Sequence, residues 1–196
     1  MRCTTSHRYE FSHDWDLGQG NGVGVGFQHS HQQSHGSELN GNFRIDHIGM
    51  RLQYQRGSTT FAAAYTRMSD TQGLFTPWGY SPTFNGGIVR EFTRPGEKAW
   101  SIGASVDFDR ISSFEEDKLL LHTYYISGES PDSGPTASPS QSEFDVTLEY
   151  NFDIGPMKGL HLRIRNASIN QRDSDGSNDA RDLNDFRIIL NYDYRW

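Results

Sequence analysis

The chain has 196 residues, a formal net charge of −7 and one cysteine, Cys3. These values exclude an intrachain disulfide and a cysteine metal cluster, and they argue against general nucleic-acid binding. Hydrophobic residues are only 34% of the chain, yet aromatics reach 13% and there are 20 glycines, a balance that fits an all-β protein and not a disordered one. No apolar run is long enough for a transmembrane helix. That leaves open a membrane β-barrel, whose strands expose apolar residues only at every second position. The N-terminal "MRCTTSHRYEFSHD" lacks the apolar segment of a signal peptide.

Nine segments with period-two alternation follow in chain order, near 7–17, 22–31, 46–56, 59–68, 97–109, 117–127, 143–153, 159–169 and 184–196. The first sets Tyr9, Phe11, Trp15 and Leu17 against Glu10, Ser12, Asp14 and Asp16. After the short "GQGN", the second runs into "HSHQQSH", with His29 and His31 on one face and His35 beyond. No carboxylate or cysteine accompanies them at fixed spacing, so a polar extracellular lip is favoured over a metal site. The third opposes Ile48, Met50, Leu52 and Tyr54 to Gly49, Arg51, Gln53 and Gln55. A loop from Ser69 to Glu97, rich in Gly, Pro and aromatics, separates the fourth from the fifth. In the fifth, Trp100, Ile102, Ala104, Val106 and Phe108 share one face. "SSFEED", before the sixth, is the best candidate for a small helix.

The seventh opposes Phe144, Val146, Leu148, Tyr150 and Phe152 to Asp145, Thr147, Glu149 and Asn151. The eighth, "LHLRIRN", alternates Leu160, Leu162 and Ile164 with His161, Arg163 and Arg165. "DSDGSNDARD" then has calcium-loop character in Asp173, Asp175 and Asn178, but lacks the bidentate Glu of an EF-hand and reads as a solvated acidic loop. The ninth carries Phe186, Ile188, Leu190, Tyr192, Tyr194 and Trp196 as one apolar face. No nucleophile–base pair has telling spacing, and no cofactor, metal or catalytic residue is expected.

The connections alternate between short or medium ("GQGN", "RGS", "ISSFEED", "IGPMKG") and long and polar, the latter near 32–45, 69–97, 127–142 and 170–183. In an up-and-down antiparallel sheet every second connection lies at the same end. One end then carries tight turns and the other long loops, the pattern of outer-membrane barrels with periplasmic turns and extracellular loops. A soluble sandwich has no reason to sort loops by parity. Aromatics near both ends of the apolar faces, such as Trp100 and Phe108, suit interfacial girdles. A transmembrane barrel is therefore favoured over a soluble β-sandwich binding module. Leu160, Leu162 and Ile164 then face lipid, and Arg163 and Arg165 face water.

Several stretches carry a family resemblance: "SHDWDLGQGNGVGVGF", "STTFAAAYTRMSD", "RPGEKAWSIGASVDFD", and "GLHLRIRNASI" followed by "DLNDFRIILNYDYRW". Together they resemble the C-terminal half of the OprD-type porins, the carboxylate-selective outer-membrane channels of pseudomonads and their relatives. The closing hairpin and "PGEKAW" are the most specific. The resemblance implies one all-β domain over 1–196: nine strands of an antiparallel up-and-down transmembrane β-barrel. The family barrel has eighteen strands, so the nine form an open half-barrel, a fragment whose N-terminal half lies outside this reading frame. The first and ninth strands run the same way and cannot close antiparallel.

The resemblance also implies roles. Arg163, Arg165 and Arg187 fall at positions of a lumen ladder of basic residues that guides a substrate carboxylate. Glu91 falls where the family's constriction loop has an acid. Val89 and Gly86 stand where it has a tyrosine and a serine, and Tyr124 where many members place a lumen arginine. The departures at Val89 and Gly86 weaken a preference for basic amino acids. Ile188, Leu190, Tyr192, Tyr194 and Trp196 resemble the signal read by the outer-membrane assembly machinery. The expected function is selective diffusion of small carboxylate solutes, such as amino acids or aromatic acids, across the bacterial outer membrane. Outer-membrane lipid and lipopolysaccharide are the expected surroundings. The alternatives are an outer-membrane barrel enzyme or adhesin with a loop-borne site, and the soluble sandwich.

Overall fold

The computed structural model describes residues 2–36, 41–76, 82–110, 117–130, 140–172 and 182–193. Nine strands follow one another: β1 (Arg2–Gly18), β2 (Asn21–Gly36), β3 (Arg44–Arg56), β4 (Thr59–Met68), β5 (Lys98–Asp107), β6 (Lys118–Glu129), β7 (Ser140–Asn151), β8 (Leu160–Arg172) and β9 (Leu183–Tyr192). They form a single antiparallel sheet in sequence order, with β1 and β9 at its two open edges. This is neither the double sheet of a sandwich nor a closed barrel.

All nine expected strands are present, and their two-faced character is too. The main differences lie at the long-loop end. β1 begins at Arg2 and β2 continues to Gly36, because Gln28, Ser30, Gln32 and Ser34 keep the alternation going as buried polar residues. β5 stops at Asp107, where Phe108–Arg110 turn into a short 3-10 helix. Of "SSFEED", residues 112–116 lie outside the described residues.

Turn chemistry sets the tight end. Gly18, Gln19 and Gly20 all take left-handed backbone angles (φ 79°, 55° and 75°), which glycine adopts without steric cost. The Gly57 N–H of the neighbouring β3–β4 turn donates to Gly20 O at 2.9 Å, tying adjacent turns together. Asp117, just before β6, accepts from the Tyr150 hydroxyl (2.7 Å) and from the N–H groups of Asp153 (2.9 Å) and Ile154 (3.3 Å). The Tyr150 bond, followed by the two backbone bonds, holds the Asp117 carboxyl below its usual range.

Burial is inverted relative to a soluble protein. The outward face exposes Phe11, Leu52, Tyr65, Trp100, Ile102, Phe186, Ile188 and Leu190, several more than half exposed. An apolar surface this continuous is stable against hydrocarbon and not against water. The inward face instead buries polar side chains, among them Gln28, Thr66, Ser101, Gln141, Glu143 and Thr147. The dry core is small and sits where the β4–β5 loop meets this inward face. One cluster is Phe43, Ile45 and Met68 with Leu74 against them; the other is Phe92, Ala99 and Ile126.

Candidate solute pathway

The register places the basic residues of β8 and β9 on the inward face. Arg163 pairs with Glu149, Arg165 with Thr147 on one side and Arg187 on the other. Arg163 Nε lies 2.8 Å from Glu149 Oε1 as an ion pair. Arg187 donates through Nε and Nη2 to the two carboxylate oxygens of Asp185, at 2.6 and 3.0 Å. Arg165 donates only to Thr147 Oγ1, at 3.4 Å, and has no carboxylate ion pair among the described residues.

The loop between β4 and β5 crosses this face and is fastened at both sides. On one side Gln32 donates to Phe75 O (2.8 Å) and accepts from Phe75 N–H (2.9 Å). On the other, Glu143 accepts from the N–H groups of Val89 (2.8 Å) and Arg90 (2.7 Å), and Asp145 from that of Ile88 (3.0 Å). Two carboxylates thus cap three successive backbone donors. Between these ends, the buried Asn85 donates to Thr66 Oγ1 and Ala99 O. The loop's exit is held by the buried Glu97, which accepts from the Arg94 N–H and guanidinium and from Gln141 Nε2.

Loop and wall leave a concavity of about 350 Å³ between them. Arg165, Asp145, Glu149, His122 and Tyr124 line it from one side, Arg51 and Phe84 from the other. The Arg51 guanidinium lies over the Phe84 ring, 4.7 Å from its centroid, a cation–π contact that fixes its direction. Cations from opposite walls thus face one polar, water-accessible space, an arrangement able to hold a small anion.

The sequence-predicted residues divide. Arg165 and Tyr124 line the concavity, and Arg163 and Arg187 flank Arg165 on the same face. Glu91 is exposed, bridges Gly86 through the backbone, and is not among the lining residues. Ile188, Leu190 and Tyr192 are exposed on the outward face of edge strand β9. Tyr194 and Trp196 lie outside the described residues, as do Asp173, Asp175 and Asn178. His29 and His31 do gain a carboxylate: Asp46, opposite His31, lies 3.3 and 2.8 Å from their ring nitrogens. The partner comes from the next strand, which linear spacing does not reveal. No group of three His, Cys, Asp or Glu able to hold a metal occurs among the described residues.

Four participants escaped the sequence reading. Glu143 and Asp145 carried only a period-two signal, and Glu97 looked like a strand-entry residue. Arg90 donates to Gln171 Oε1 at 2.9 Å and so reaches the inward face of β8 from the loop.

A single antiparallel sheet with a lipid-suited exterior, a polar interior and a loop pinned across that interior is the wall of a transmembrane β-barrel channel. The chain belongs to the OprD family of outer membrane porins: residues 5–196 match that family. It is a family of channels and not of enzymes, and its members reside in the outer membrane. Three Pseudomonas aeruginosa crystal structures are similar. OpdL is 24% identical with a TM-score of 0.84, over 96% of this chain and 51% of that one. OccK9 (OpdG) is 25% identical (TM-score 0.83, 96% and 46%), and OccK10 (OpdN) is 20% identical (TM-score 0.85, 98% and 54%). The chain therefore spans about half the length of these structures. No curated protein sequence matches significantly.

Proposed function

We propose that this chain forms one side of an outer-membrane pore through which small carboxylate-bearing solutes diffuse. Arg163, Arg165 and Arg187 are the stepping points for the carboxylate, and Arg90 and Arg51 receive it from the loop and the facing wall. The observation that carries this reading is the placement of Arg165: it lines the concavity, its guanidinium makes no direct ion pair among the described residues, and basic neighbours flank it along the wall. A guanidinium holds a carboxylate through two parallel bonds, and several in series allow transfer without a deep trap. The partial neutralisation of Arg163 by Glu149 and of Arg187 by Asp185 favours weak holding at those steps. The C-terminal sequence alternation of Ile188, Leu190, Tyr192, Tyr194 and Trp196 serves as the signal for the assembly machinery.

The test is single-channel recording on a closed barrel that contains this chain. Arg163→Ala combined with Arg187→Ala lowers anion preference and carboxylate flux. Unchanged selectivity and flux would remove the ladder from consideration.

A further inference from the structure

The exterior of the sheet is not charged evenly. On β4 and β5, Tyr65 and Trp100 pair across the ladder, and the Trp100 ring lies 5.5 Å from that of Tyr125. These aromatics have the amphipathic character of an interfacial girdle. Two positions further toward the long loops, Arg67 pairs with Lys98, both exposed on the outward face. Two residues along a tilted strand raise them roughly 5 Å above the girdle, the level of lipid headgroups. At the opposite end the outward positions of the same two strands are Thr59, Phe61, Ala104 and Val106, with no charge.

Like charges directly opposed across a ladder repel. Among the described residues, neither Arg67 nor Lys98 has a side-chain hydrogen-bond or ion-pair partner to relieve this. Both line an exterior groove of about 470 Å³, whose floor includes Ser69 and Gly96, joined by a 2.8 Å backbone hydrogen bond. A single phosphate resolves the repulsion: the guanidinium offers a planar fork and the ammonium a point charge on adjacent strands. Asp46 and Asp70 at the groove and Glu129, across from Lys98, keep the patch from attracting free anions in general. A lipid phosphate needs no long-range attraction, because the bilayer already holds it at this height.

We propose that Arg67 and Lys98 form a binding site for a phosphate of lipid A, the phosphorylated glycolipid part of lipopolysaccharide in the outer leaflet. The site goes beyond the solute pathway and lies on the other face of the sheet. It rests on the reading that the long loops are extracellular.

The experiment is native mass spectrometry of a closed barrel containing this chain, in detergent, with bis-phosphorylated lipid A. Arg67→Gln/Lys98→Gln raises the Kd for lipid A about ten-fold, the equivalent of roughly 1.4 kcal/mol. Arg56→Gln, at the other end of β3, leaves it unchanged. Dephosphorylated lipid A binds both proteins equally weakly, and millimolar inorganic phosphate does not displace lipid A. Full retention by the double variant, or binding of dephosphorylated lipid A to the wild type as tight as that of bis-phosphorylated lipid A, overturns the site. Should the double variant fail the heat-modifiability test of folding, the single variants decide in the same way. Protease access to a tag in the Ser69–Glu97 loop on intact cells tests the orientation separately. An inaccessible tag there would defeat the orientation whatever the lipid result.

Discussion

Arg165 and Arg187 stand directly opposite one another across the β8–β9 ladder, on the inward face of the sheet. Their surroundings differ. The side edge of Arg187, Nε and Nη2, is occupied by Asp185, whereas among the described residues Arg165 hydrogen-bonds only through Nε, toward Thr147. Removing either arginine deletes one positive charge, so Arg165→Gln and Arg187→Gln shift the reversal potential in a salt gradient by similar amounts. Direct holding of a carboxylate separates them. Arg165→Gln weakens carboxylate block of the chloride current about ten-fold, the scale of one lost charge-assisted contact. Arg187→Gln changes it by less. Equal loss of block in the two variants would show that only net charge matters.

The loop is held by acids, and this makes a second expectation. Glu143 accepts two successive loop N–H groups and Asp145 a third. Glu143→Ala removes two charge-assisted hydrogen bonds, each contributing about 1.5–3 kcal/mol when intact. The Val89–Arg90 backbone then loosens from β7, with Ile88 still held by Asp145, and the concavity widens. Faster amide exchange at Val89 and Arg90, together with a larger single-channel conductance, is the expected pair of results. A larger conductance without faster exchange would place the effect in the wall charge and not in the loop.

The alternation in "LHLRIRN" and "FDVTLEY" sufficed to assign faces, because a period of two leaves only two sides and the hydrocarbon side admits no charge. It also located Arg163, Arg165 and Arg187 on one face. What the sequence did not disclose is register. That Asp46 sits beside His29 and His31, or that Glu143 lies under Val89 and Arg90, depends on which residue faces which across strands far apart in the chain. The extension of β2 through "HQQSHG" escaped notice for a related reason. Its inward residues are polar and covered by the loop, so hydropathy shows no contrast between its two faces.

Gly103 offers a test of packing on the inward face. A Cβ there would lie 2.4 Å from Tyr124 Cδ1 and 2.6 Å from the Thr123 carbonyl oxygen. The tyrosine ring can rotate away, but the backbone carbonyl of a paired strand cannot move without disturbing the β5–β6 ladder. Gly103→Ala therefore destabilises the barrel by about 1–3 kcal/mol, the usual scale of overpacking. The measurement is the urea midpoint of the heat-modifiable form. Tyr124→Ala combined with Gly103→Ala recovers only part of the loss, because the carbonyl contact remains. Full recovery would assign the clash to the ring alone.

The Asp117 carboxylate predicts a pH dependence at the tight-turn end. Its hydrogen bonds from Tyr150, Asp153 and Ile154 favour the ionised form and lower its pKa in the folded protein from 3.8. A depressed folded pKa adds stability that is fully present above the unfolded value. That stability is lost as pH falls through the folded value, because the unfolded chain takes up the proton first. The β7–β8 turn is thus protected at pH 7 and loosens below about pH 4. Asp117→Asn is already loosened at pH 7 and shows a smaller further change on acidification. Limited proteolysis at Lys158, in that turn, reads this directly, with an acid-stable protease used at low pH. The wild-type rate of cleavage rises between pH 5 and 3, while the Asn variant starts high and rises less. Parallel profiles for the two proteins would mean that other carboxylates control the turn.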